Sequence, residues 1–428
     1  MRTIFYSFLL LFSANITAQN TEVISWLNTN AVIIEDANPD THLISFSNNE
    51  PQKFSDARLF GFGEATHHGK EFFNLKAKFF KYLVEHHNVR LFIMEESYQA
   101  EQGINEWISG GKGDKSTIVK NFRHYLWYTQ EVADLLEWMR NFNIGKPNEE
   151  QIRFYGIDNQ MGDDINEKLR NYITKYNLVV NDDLLAAVDS CSTAEQGKVK
   201  YKEWNEKMAP KLQQVKQVLK QNEEHLITAN EAEYIDMMRA FSYLEDYTAY
   251  ISWPNFGVRD NAMYENVLKI LKIEGNDSKA FIWAHNEHIN KKDLANMAPS
   301  LGSRLKEHFG DAYYALGFDF GSGTMKGYII KKNEVKGIEY RKLEKPYKKT
   351  YAETLFLAEP SIYFVDIKKA IENPVMEKFF NTKMKQLFIG GPGFDPKDKI
   401  FYSRKYKDTY DGIIFIKNIS PSIPQKVN

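Results

Sequence analysis

The sequence lacks the charge excess, the cysteines and the long apolar runs that would place it in several common protein classes. Its 55 Lys and Arg residues nearly balance 57 Asp and Glu residues, so no global positive charge attracts nucleic acid. Its single cysteine, Cys191, excludes an intramolecular disulfide and is interpreted as structural and unreactive. No stretch has the length of a comfortable membrane-spanning helix. We therefore expect a globular protein with no nucleic acid partner.

Signature motifs of familiar enzymes are also missing. The absence of a G-x-S-x-G nucleophile elbow argues against an ordinary serine α/β-hydrolase. There is no H-E-x-x-H helix, aspartate-rich calcium loop or cysteine pair, so the sequence has no independent metal signature. The stretch GGKGDKS at Gly110–Ser116 superficially resembles a phosphate-binding loop, but Asp114 replaces the required glycine and no strand precedes it. We interpret this stretch, and GGPGFD at Gly390–Asp395, as loops.

The N-terminus, MRTIFYSFLLLFSANITAQ, is typical of a secretory signal peptide. It has an early Arg2, an apolar core from Ile4 to Phe12 and small residues ending at Ala18. We therefore predict a signal peptide over residues 1–18 and a single folded domain over residues 19–428. We expect the mature protein to be exported, to a bacterial periplasm, and to have no membrane partner after signal cleavage.

Short apolar runs bounded by turn residues or charges predict the strands of a central sheet. Most are continuous rather than alternating, which is typical of strands covered on both faces. Between the first two runs, apolar residues recur at helical spacing from Phe72 to Leu83 and predict a β-α-β unit with parallel strands. The expected fold class is α/β, with a largely parallel central sheet flanked by helices. The predicted strands are Leu59–Gly63, Val89–Met94, Ile152–Ile157, Ala280–Ala284, Tyr313–Phe318 and Ile362–Val365.

The segment from Glu167 to Ser252 has long charged helical patterns and little that could form a strand. It predicts a helical insertion, residues 167–252, that covers a cleft at the edge of the sheet where the parallel strands end. Its aromatic side chains could either contact a large apolar ligand or form an ordinary helical core, and the core is the commoner outcome. These side chains are Trp204, Tyr234, Tyr243, Tyr247 and Tyr250.

Ionisable residues follow four of the predicted strands. The first strand ends in Glu64, the second in Glu95 and Glu96, the third in Asp158 and the fourth in His285. Because parallel strands bring their carboxyl ends to one edge of the sheet, these residues predict a single polar cleft. The alternative is that each residue caps the next helix or meets solvent.

The motif GEATHHGKEF combines a histidine with carboxylates at the end of the first strand. Glu64 and His67 lie three residues apart in the strand-to-helix loop, and Glu71 follows in the first helical turns. A carboxylate beside an imidazole fixes its tautomer and stabilises its protonated form, so His67 is a candidate general base. Alternatively, Thr66 is the helix N-cap and His67 is an ordinary loop side chain.

A second motif, WAHNEHI, brings His285 and His288 out of another strand with Asn286 and Glu287 between them. Together with the histidine and carboxylates of the other strand ends, this pair could hold zinc or iron. Because no independent metal signature accompanies the two histidines, an acid-base and hydrogen-bonding role is favoured. No cofactor is therefore expected.

These motifs, in their order along the chain, resemble those of the erythromycin esterase family. The resemblance runs across nearly the whole mature chain, so it implies that residues 19–428, with the helical insertion 167–252, form a single esterase-like catalytic domain. It implies a hydrolase that opens the lactone of macrolide antibiotics with water as the nucleophile, and so confers antibiotic resistance. The segments that carry it are GEATHHGKEFFNLK, FIMEES, INEWISGG, YGIDNQ, VRDNAMYENV, WAHNEHI, GSRLKEHFGDAYYALGFDFGSGT and YDGIIFI.

The resemblance also implies roles for individual residues. His67 matches the family's general base, and Glu64 matches its essential neighbour in the G-E-x-x-H motif. His285 and His288 match the pair that completes the cleft. Lys76 stands where the family usually has arginine, so the cation is kept while bidentate geometry is lost. The residues expected to bind the substrate are Glu71, Glu95, Asp158, Asn286 and Arg259.

Two other functions stay open at this point. The substrate could be another lactone or ester met in the bacterial envelope, hydrolysed by the same mechanism. The fold also resembles that of iron-regulated haem-binding proteins, in which His67, His285 and His288 would be ligands instead of catalytic groups. The expected partner is a small molecule, either a macrolide or another lactone or ester.

Overall fold

The computed structural model describes residues 20–195, 198–252, 255–275, 277–294, 298–331, 334–397 and 399–426. The predicted signal peptide, residues 1–18, lies outside these residues. Within the described ranges, no helix is both long enough and apolar enough to cross a membrane.

The helices and strands alternate along most of the chain. The strands are β1 (Val32–Ile33), β2 (Leu59–Phe62), β3 (Leu91–Met94), β4 (Arg153–Gly156), β5 (Ala280–Trp283), β6 (Asp293–Leu294), β7 (Ala298–Pro299), β8 (Tyr313–Lys331), β9 (Glu334–Leu343), β10 (Ile362–Asp366), β11 (Met384–Phe388), β12 (Ile400–Arg404) and β13 (Gly412–Ile419). The helices are α1 (20–30), α2 (Ile44–Ser47), α3 (Gln52–Asp56), α4 (Lys70–His86), α5 (Glu101–Ile108), α6 (Lys115–Ile118), α7 (Gln130–Asn143), α8 (Ile165–Lys175), α9 (Asp182–Ser192), α10 (Tyr201–Gln221), α11 (Glu223–Ser252), α12 (Phe256–Glu274), α13 (Asn286–Ile289), α14 (Leu301–Phe309), α15 (Tyr351–Leu355), α16 (Ile367–Ala370), α17 (Pro374–Asn381) and α18 (Tyr406–Thr409).

The main sheet has the strand order β1-β10-β13-β8-β2-β5-β3-β4, and β9 pairs with β8. Its centre is parallel, because β5 pairs in parallel with both β2 and β3, and β8 does so with β2 and β13. At the β1 side, β10 runs antiparallel to β13, and β1 runs antiparallel to β10. The predicted α/β fold with a largely parallel sheet flanked by helices is therefore confirmed.

Both faces of the central strands are buried, which explains their continuous apolar sequences. Along β3, Phe92 and Met94 belong to a core shared with α4, whereas Leu91 and Ile93 belong to a second core shared with α12. Helix α4 contributes the predicted apolar stripe, and it ends at His86, just before Asn88 adopts the left-handed conformation with φ of 58°. Two helical layers thus enclose the sheet.

The predicted helical insertion is built from α8 to α11, and its aromatic residues form mostly its own core. Tyr234, Tyr243, Tyr247 and Tyr250 are buried there among leucine and valine side chains. The hydroxyl of Tyr243 donates a hydrogen bond to the backbone carbonyl of Asp158, just beyond β4. The insertion therefore rests against the carboxyl ends of the strands on the β4 side of the sheet.

Candidate active site

The turn after β2 holds Glu64 and His67 against each other. Gly63 permits this turn because a Cβ there would lie 2.1 Å from the side-chain oxygen of Asn286. Glu64 is fully buried, and its Oε1 lies 2.6 Å from Nδ1 of His67. With Nδ1–H donating to the carboxylate, Nε2 is the ring nitrogen left to accept a proton. Thr66 does not cap the helix, because the N-cap of α4 is Gly69.

Lys76 lies behind this pair, in the core rather than in the cleft. Its Nζ is 2.8 Å from Oε2 of Glu64, 3.3 Å from the carbonyl oxygen of Ala284 and 4.1 Å from the ring centroid of Trp283. Burial, partly offset by attraction to Glu64, lowers the pKa of Lys76 to about 8. Lys76 therefore contacts the carboxylate that orients His67, and the ester would not reach it.

Glu95 and Asp158 share one guanidinium. Arg259 donates through Nε and Nη2 to Asp158, at 2.8 and 2.7 Å, and through Nη2 to Glu95 at 2.7 Å. Burial opposes ionisation of Glu95, but His288 and Arg259 outweigh it and hold the pKa of Glu95 well below its usual value. These charges form a rigid wall, since each is fixed by an opposite charge.

His288 is held as an imidazolium. Its Nδ1 lies 2.8 Å from Asp260, and its Nε2 lies 3.2 Å from Glu95. Burial alone would lower the pKa of His288, but attraction to Asp260 and Glu95 raises it to about 10. Nδ1 donates to Asp260, and Nε2 lies beside both Glu95 and, at 3.1 Å, Nη1 of Arg259. With its raised pKa, His288 contributes positive charge to the cleft instead of acting as a base near neutral pH.

His285 is a neutral imidazole that lines the same cleft. It is the N-cap of α13, and its Nδ1 accepts the backbone N–H of Glu287 at 3.2 Å. The proton therefore sits on Nε2, which is buried and has no hydrogen-bond partner among the described residues. Burial, and then repulsion from His67, lowers the pKa of His285 well below its usual value. The ring centroids of His285 and His67 are 5.2 Å apart.

A cavity of about 220 Å³ joins these groups. Its far wall is a loop and hairpin that the sequence analysis did not assign to the site. The GGPGFD segment, interpreted only as a loop, forms part of this wall, and His68 anchors it by donating from Nε2 to the carbonyl oxygen of Gly391 at 3.0 Å. The cavity is lined by His67, Glu95, Arg259, His285, Glu287, His288, Phe388, Gly390, Gly391, Pro392 and Tyr402.

Two residues predicted to bind substrate have other partners. Glu71 accepts hydrogen bonds from the backbone and hydroxyl of Ser420, at 2.7 and 2.5 Å, and so fastens the C-terminal segment to α4. Asn286 pairs with both backbone groups of Phe318, at 2.7 and 3.0 Å, and so fastens α13 to β8. Glu64 and Asp158 also lie behind the groups that line the cavity.

Sequence reasoning missed Asp260, Glu287 and the apolar wall formed by Phe388 and Tyr402. Asp260 directly follows Arg259, but it lies within a helical pattern that gives no reason to single it out. Glu287 stands inside the WAHNEHI motif, where its place between two site histidines was the available signal. Phe388 and Tyr402 come from the β11–β12 hairpin, which carries no polar motif.

The hydrogen bonds of the site's histidines show which ring nitrogens are available to bind a metal ion or a haem iron. Nδ1 of His288 is bonded to Asp260, its Nε2 lies close to both Glu95 and Arg259, and Nδ1 of His285 accepts a backbone hydrogen bond. Within the described ranges, no three His, Cys, Asp or Glu side chains are grouped as metal ligands. The geometry therefore fits acid-base chemistry better than ligation by these histidines.

Fold and site together define a mixed α/β protein with an acid-base cleft in which one histidine can accept a proton and another can donate a hydrogen bond. No serine or cysteine is among the described residues that line the cavity. The chain belongs to the erythromycin esterase family, whose model matches residues 84–419. This match confirms the resemblance found in the sequence, and it begins after the segment that contains Glu64, His67 and Lys76.

The chain is also similar, at low identity, to individual proteins. Erythromycin esterase type II of Escherichia coli is 27% identical over 306 residues, covering 63% of this chain and 70% of its own length. A Bacillus cereus protein of known structure superposes with a TM-score of 0.79 at 22% identity, covering 96% of this chain and 99% of that one. A histidine variant of the erythromycin esterase EreC, in its open conformation, gives 0.68 at 16% identity, covering 91% and 97%. Family membership supports an ester hydrolase acting on a small-molecule ester.

Proposed function

We propose that the protein opens the macrolactone ester of erythromycin-type macrolides and so confers resistance to them. The observation that carries this proposal is the Glu64–His67 pair, joined at 2.6 Å, beside the free Nε2 donor of His285. An ester hydrolase needs a base for water and a donor for the developing oxyanion, and these two histidines have those properties.

In the proposed reaction, Nε2 of His67 takes a proton from water while the water oxygen attacks the carbonyl carbon. The Nε2–H of His285 donates to the resulting oxyanion. When the tetrahedral intermediate collapses, His67 returns the proton to the leaving alkoxide, which releases a hydroxy acid and regenerates the neutral base. Glu64 stabilises the His67 imidazolium between these steps.

The absence of a serine or cysteine among the described lining residues favours water over a covalent intermediate. His288 and Arg259 supply positive charge at the wall of the cavity, where it favours a developing anion. The roles of the residues therefore differ: His67 transfers protons, His285 donates, and His288 acts through its fixed charge.

The decisive experiment is to incubate the purified protein with erythromycin and follow the product mass. The wild type is expected to add one water, whereas His67→Ala is expected to give no product while keeping its thermal unfolding midpoint. His308→Ala, which removes an exposed histidine outside the cavity, is the matched control and should retain turnover. Turnover by His67→Ala at the wild-type rate would exclude His67 as the base.

The cavity volume favours a second candidate, a smaller lactone or ester of the bacterial envelope. At about 220 Å³, the cavity is below the roughly 300–1,000 Å³ of sites that enclose drug-sized ligands. It would hold the ester group and a few neighbouring atoms, and a macrolide would require the β11–β12 hairpin to move outward. Comparing kcat/KM for erythromycin with that for small lactones decides between the two substrates.

We also propose that the protein is exported to the periplasm, because its first 18 residues have the order of charge, apolar core and small residues that signal peptides share. Mass spectrometry of protein from the periplasmic fraction is expected to give Gln19 as the first residue. An intact N-terminus on protein confined to the cytoplasm would contradict export.

A further inference from the structure

Glu287 has a buried carboxylate oxygen that nothing in the described part of the chain satisfies. The residue is only 7% exposed, and its Oε1 accepts a hydrogen bond from Nη2 of Arg404. Its Oε2 is buried and has no hydrogen-bond partner among the described residues. Because buried polar oxygens are nearly always paired, this oxygen calls for a donor supplied from the cavity that Glu287 lines.

Glu287 lines the same cavity as the two histidines assigned to the reaction. Glu287 and His285 are also coupled through the backbone, since the N–H of Glu287 donates to Nδ1 of His285. A ligand group bound at Oε2 would therefore be a close neighbour of an ester held between His67 and His285.

The charges around Glu287 select the kind of donor. Arg404 pairs with the carboxylate, so its negative charge is already balanced. The two further cations that line the cavity, Arg259 and His288, are also paired with carboxylates, so neither leaves an unbalanced charge to attract an ion. Oε2 is thus an acceptor without excess negative charge, which suits a neutral hydroxyl.

The apolar side chains of the cavity wall suit the carbon atom that would carry this hydroxyl. Phe388 and Tyr402 line the cavity beside Glu287, with their ring centroids 5.0 Å apart. They offer apolar contact next to a single hydrogen-bond acceptor, an arrangement that fixes ligand orientation in small-molecule sites.

We propose that Glu287 is a specificity-determining residue that selects esters and lactones carrying a hydroxyl group close to the ester, by accepting a hydrogen bond from that hydroxyl at Oε2. This inference rests on the proposed hydrolase function and narrows its substrate class to hydroxylated esters. It adds no proton-transfer step, because Glu287 binds the substrate without contacting the reacting atoms.

The test compares γ-butyrolactone with its 2-hydroxy and 3-hydroxy derivatives, which are small enough for the cavity. The wild type is expected to prefer one hydroxylated lactone in kcat/KM by a factor of about 10 to 100, the discrimination typical of a hydrogen bond to a charged group. In Glu287→Gln the amide oxygen can stay on Arg404 while an NH₂ replaces Oε2. The charged acceptor is then lost and the NH₂ can only donate a weaker, neutral hydrogen bond to the hydroxyl oxygen, so this preference should fall to a few-fold at most. Glu287→Asp, which withdraws the carboxylate by one methylene, is the second variant should the first not fold.

A binding measurement keeps this inference separate from the proposed reaction. NMR titration of the same lactones into His67→Ala, with and without Glu287→Gln, should show the preference and its loss without turnover. Selective binding without hydrolysis of any lactone would contradict the proposed function and leave the role of Glu287 standing. Equal preference in wild type and Glu287→Gln, in turnover and in binding, would overturn that role and indicate that Oε2 binds only water.

Discussion

Nζ of Lys76 lies 2.8 Å from Oε2 of Glu64, and both side chains are completely buried. Glu64 uses its other oxygen to hold Nδ1 of His67 at 2.6 Å. The three residues therefore form a chain that runs from the core through a carboxylate to the cavity. Lys76 balances the charge of Glu64, and Glu64 fixes the tautomer of the candidate base.

Replacing Lys76 with methionine should damage both stability and activity. Glu64 would be left as a buried charge without its cation, which typically costs about 3–5 kcal/mol of unfolding free energy. Urea unfolding measures this loss, and ester turnover measures the accompanying loss of activity. Lys76→Arg is the matched control because it keeps the charge, and it should lie much closer to the wild type in both measurements. Equal losses in the two variants would show that packing, rather than charge, is what matters at this position.

The same residue predicts a pH dependence. The pKa of Lys76 is lowered to about 8, so the ammonium dominates below pH 8 and the neutral amine dominates above it. Deprotonation removes the cation that holds Glu64, so kcat/KM of the wild type should fall as the pH rises above about 8. In Lys76→Arg the fall in kcat/KM should move to higher pH, because a guanidinium keeps its proton. Superimposable pH–rate profiles for the two proteins would contradict the role given to Lys76.

His288 predicts a pH-dependent stability of defined sign. Its folded pKa of about 10 is above the usual 6.5, so the imidazolium stabilises the fold fully below pH 6.5 and loses this effect as the pH rises through 10. His288→Asn should therefore lower the unfolding free energy by about 3–5 kcal/mol at pH 6, as expected when a buried ion pair is broken. Denaturant unfolding at pH 6, 8 and 10 should show that the difference in unfolding free energy between wild type and variant shrinks as the pH rises. A gap that stays constant would mean that His288 is not charged in the folded protein.

Much of the site was predictable because short stretches of sequence show both the apolar runs that form the strands and the polar residues that follow them. Glu64, Glu95, Asp158 and His285 each follow a continuous apolar run, and parallel strands bring such positions to one edge. The structure places the first three within one or two residues of the strand ends and joins them through Lys76, Arg259 and the backbone of His285. The structure therefore brings these residues together at one edge of the sheet, with Glu95 and His285 in the cavity wall and Glu64 and Asp158 behind it.

The parts that could not be predicted depend on long-range packing. Phe388 and Tyr402 reach the cavity on a hairpin outside the main sheet, more than 100 residues after the motifs of the first three strands, and nothing in their own sequence marks them. The charge state of His288 depends on Asp260, whose approach is fixed by how α12 packs beside α13. Sequence reasoning placed His288 in the candidate site, and the structure puts it in the cavity wall, but its protonation could not be assigned from the sequence.

Glu71 shows how a helical position can mislead. It follows His67 by four residues, but its carboxylate is bonded to Ser420 rather than exposed to the cavity. Glu71→Gln should therefore leave KM for the ester unchanged while lowering the unfolding free energy by about 1–3 kcal/mol, through weaker attachment of the C-terminal segment. Ser420→Ala should cause a smaller loss of unfolding free energy, because it removes the hydroxyl hydrogen bond to Glu71 and keeps the backbone one. A clear rise in KM for Glu71→Gln would return Glu71 to the substrate site.

The donor role of His285 makes the sharpest catalytic prediction. Because Nδ1 accepts the N–H of Glu287, the ring presents Nε2–H, and its depressed pKa keeps it neutral across the physiological range. Removing one donor from an oxyanion site typically lowers kcat about 10²–10³-fold. His285→Ser should show this loss with little change in KM, because the hydrogen bond to the oxyanion forms in the transition state and the ground state does not depend on it. Serine can also replace the N-cap acceptor of α13, so thermal unfolding should stay close to that of the wild type. A raised KM with unchanged kcat would instead mean that His285 binds the ground-state ester, and the oxyanion would then have to be stabilised by the charges of Arg259 and His288.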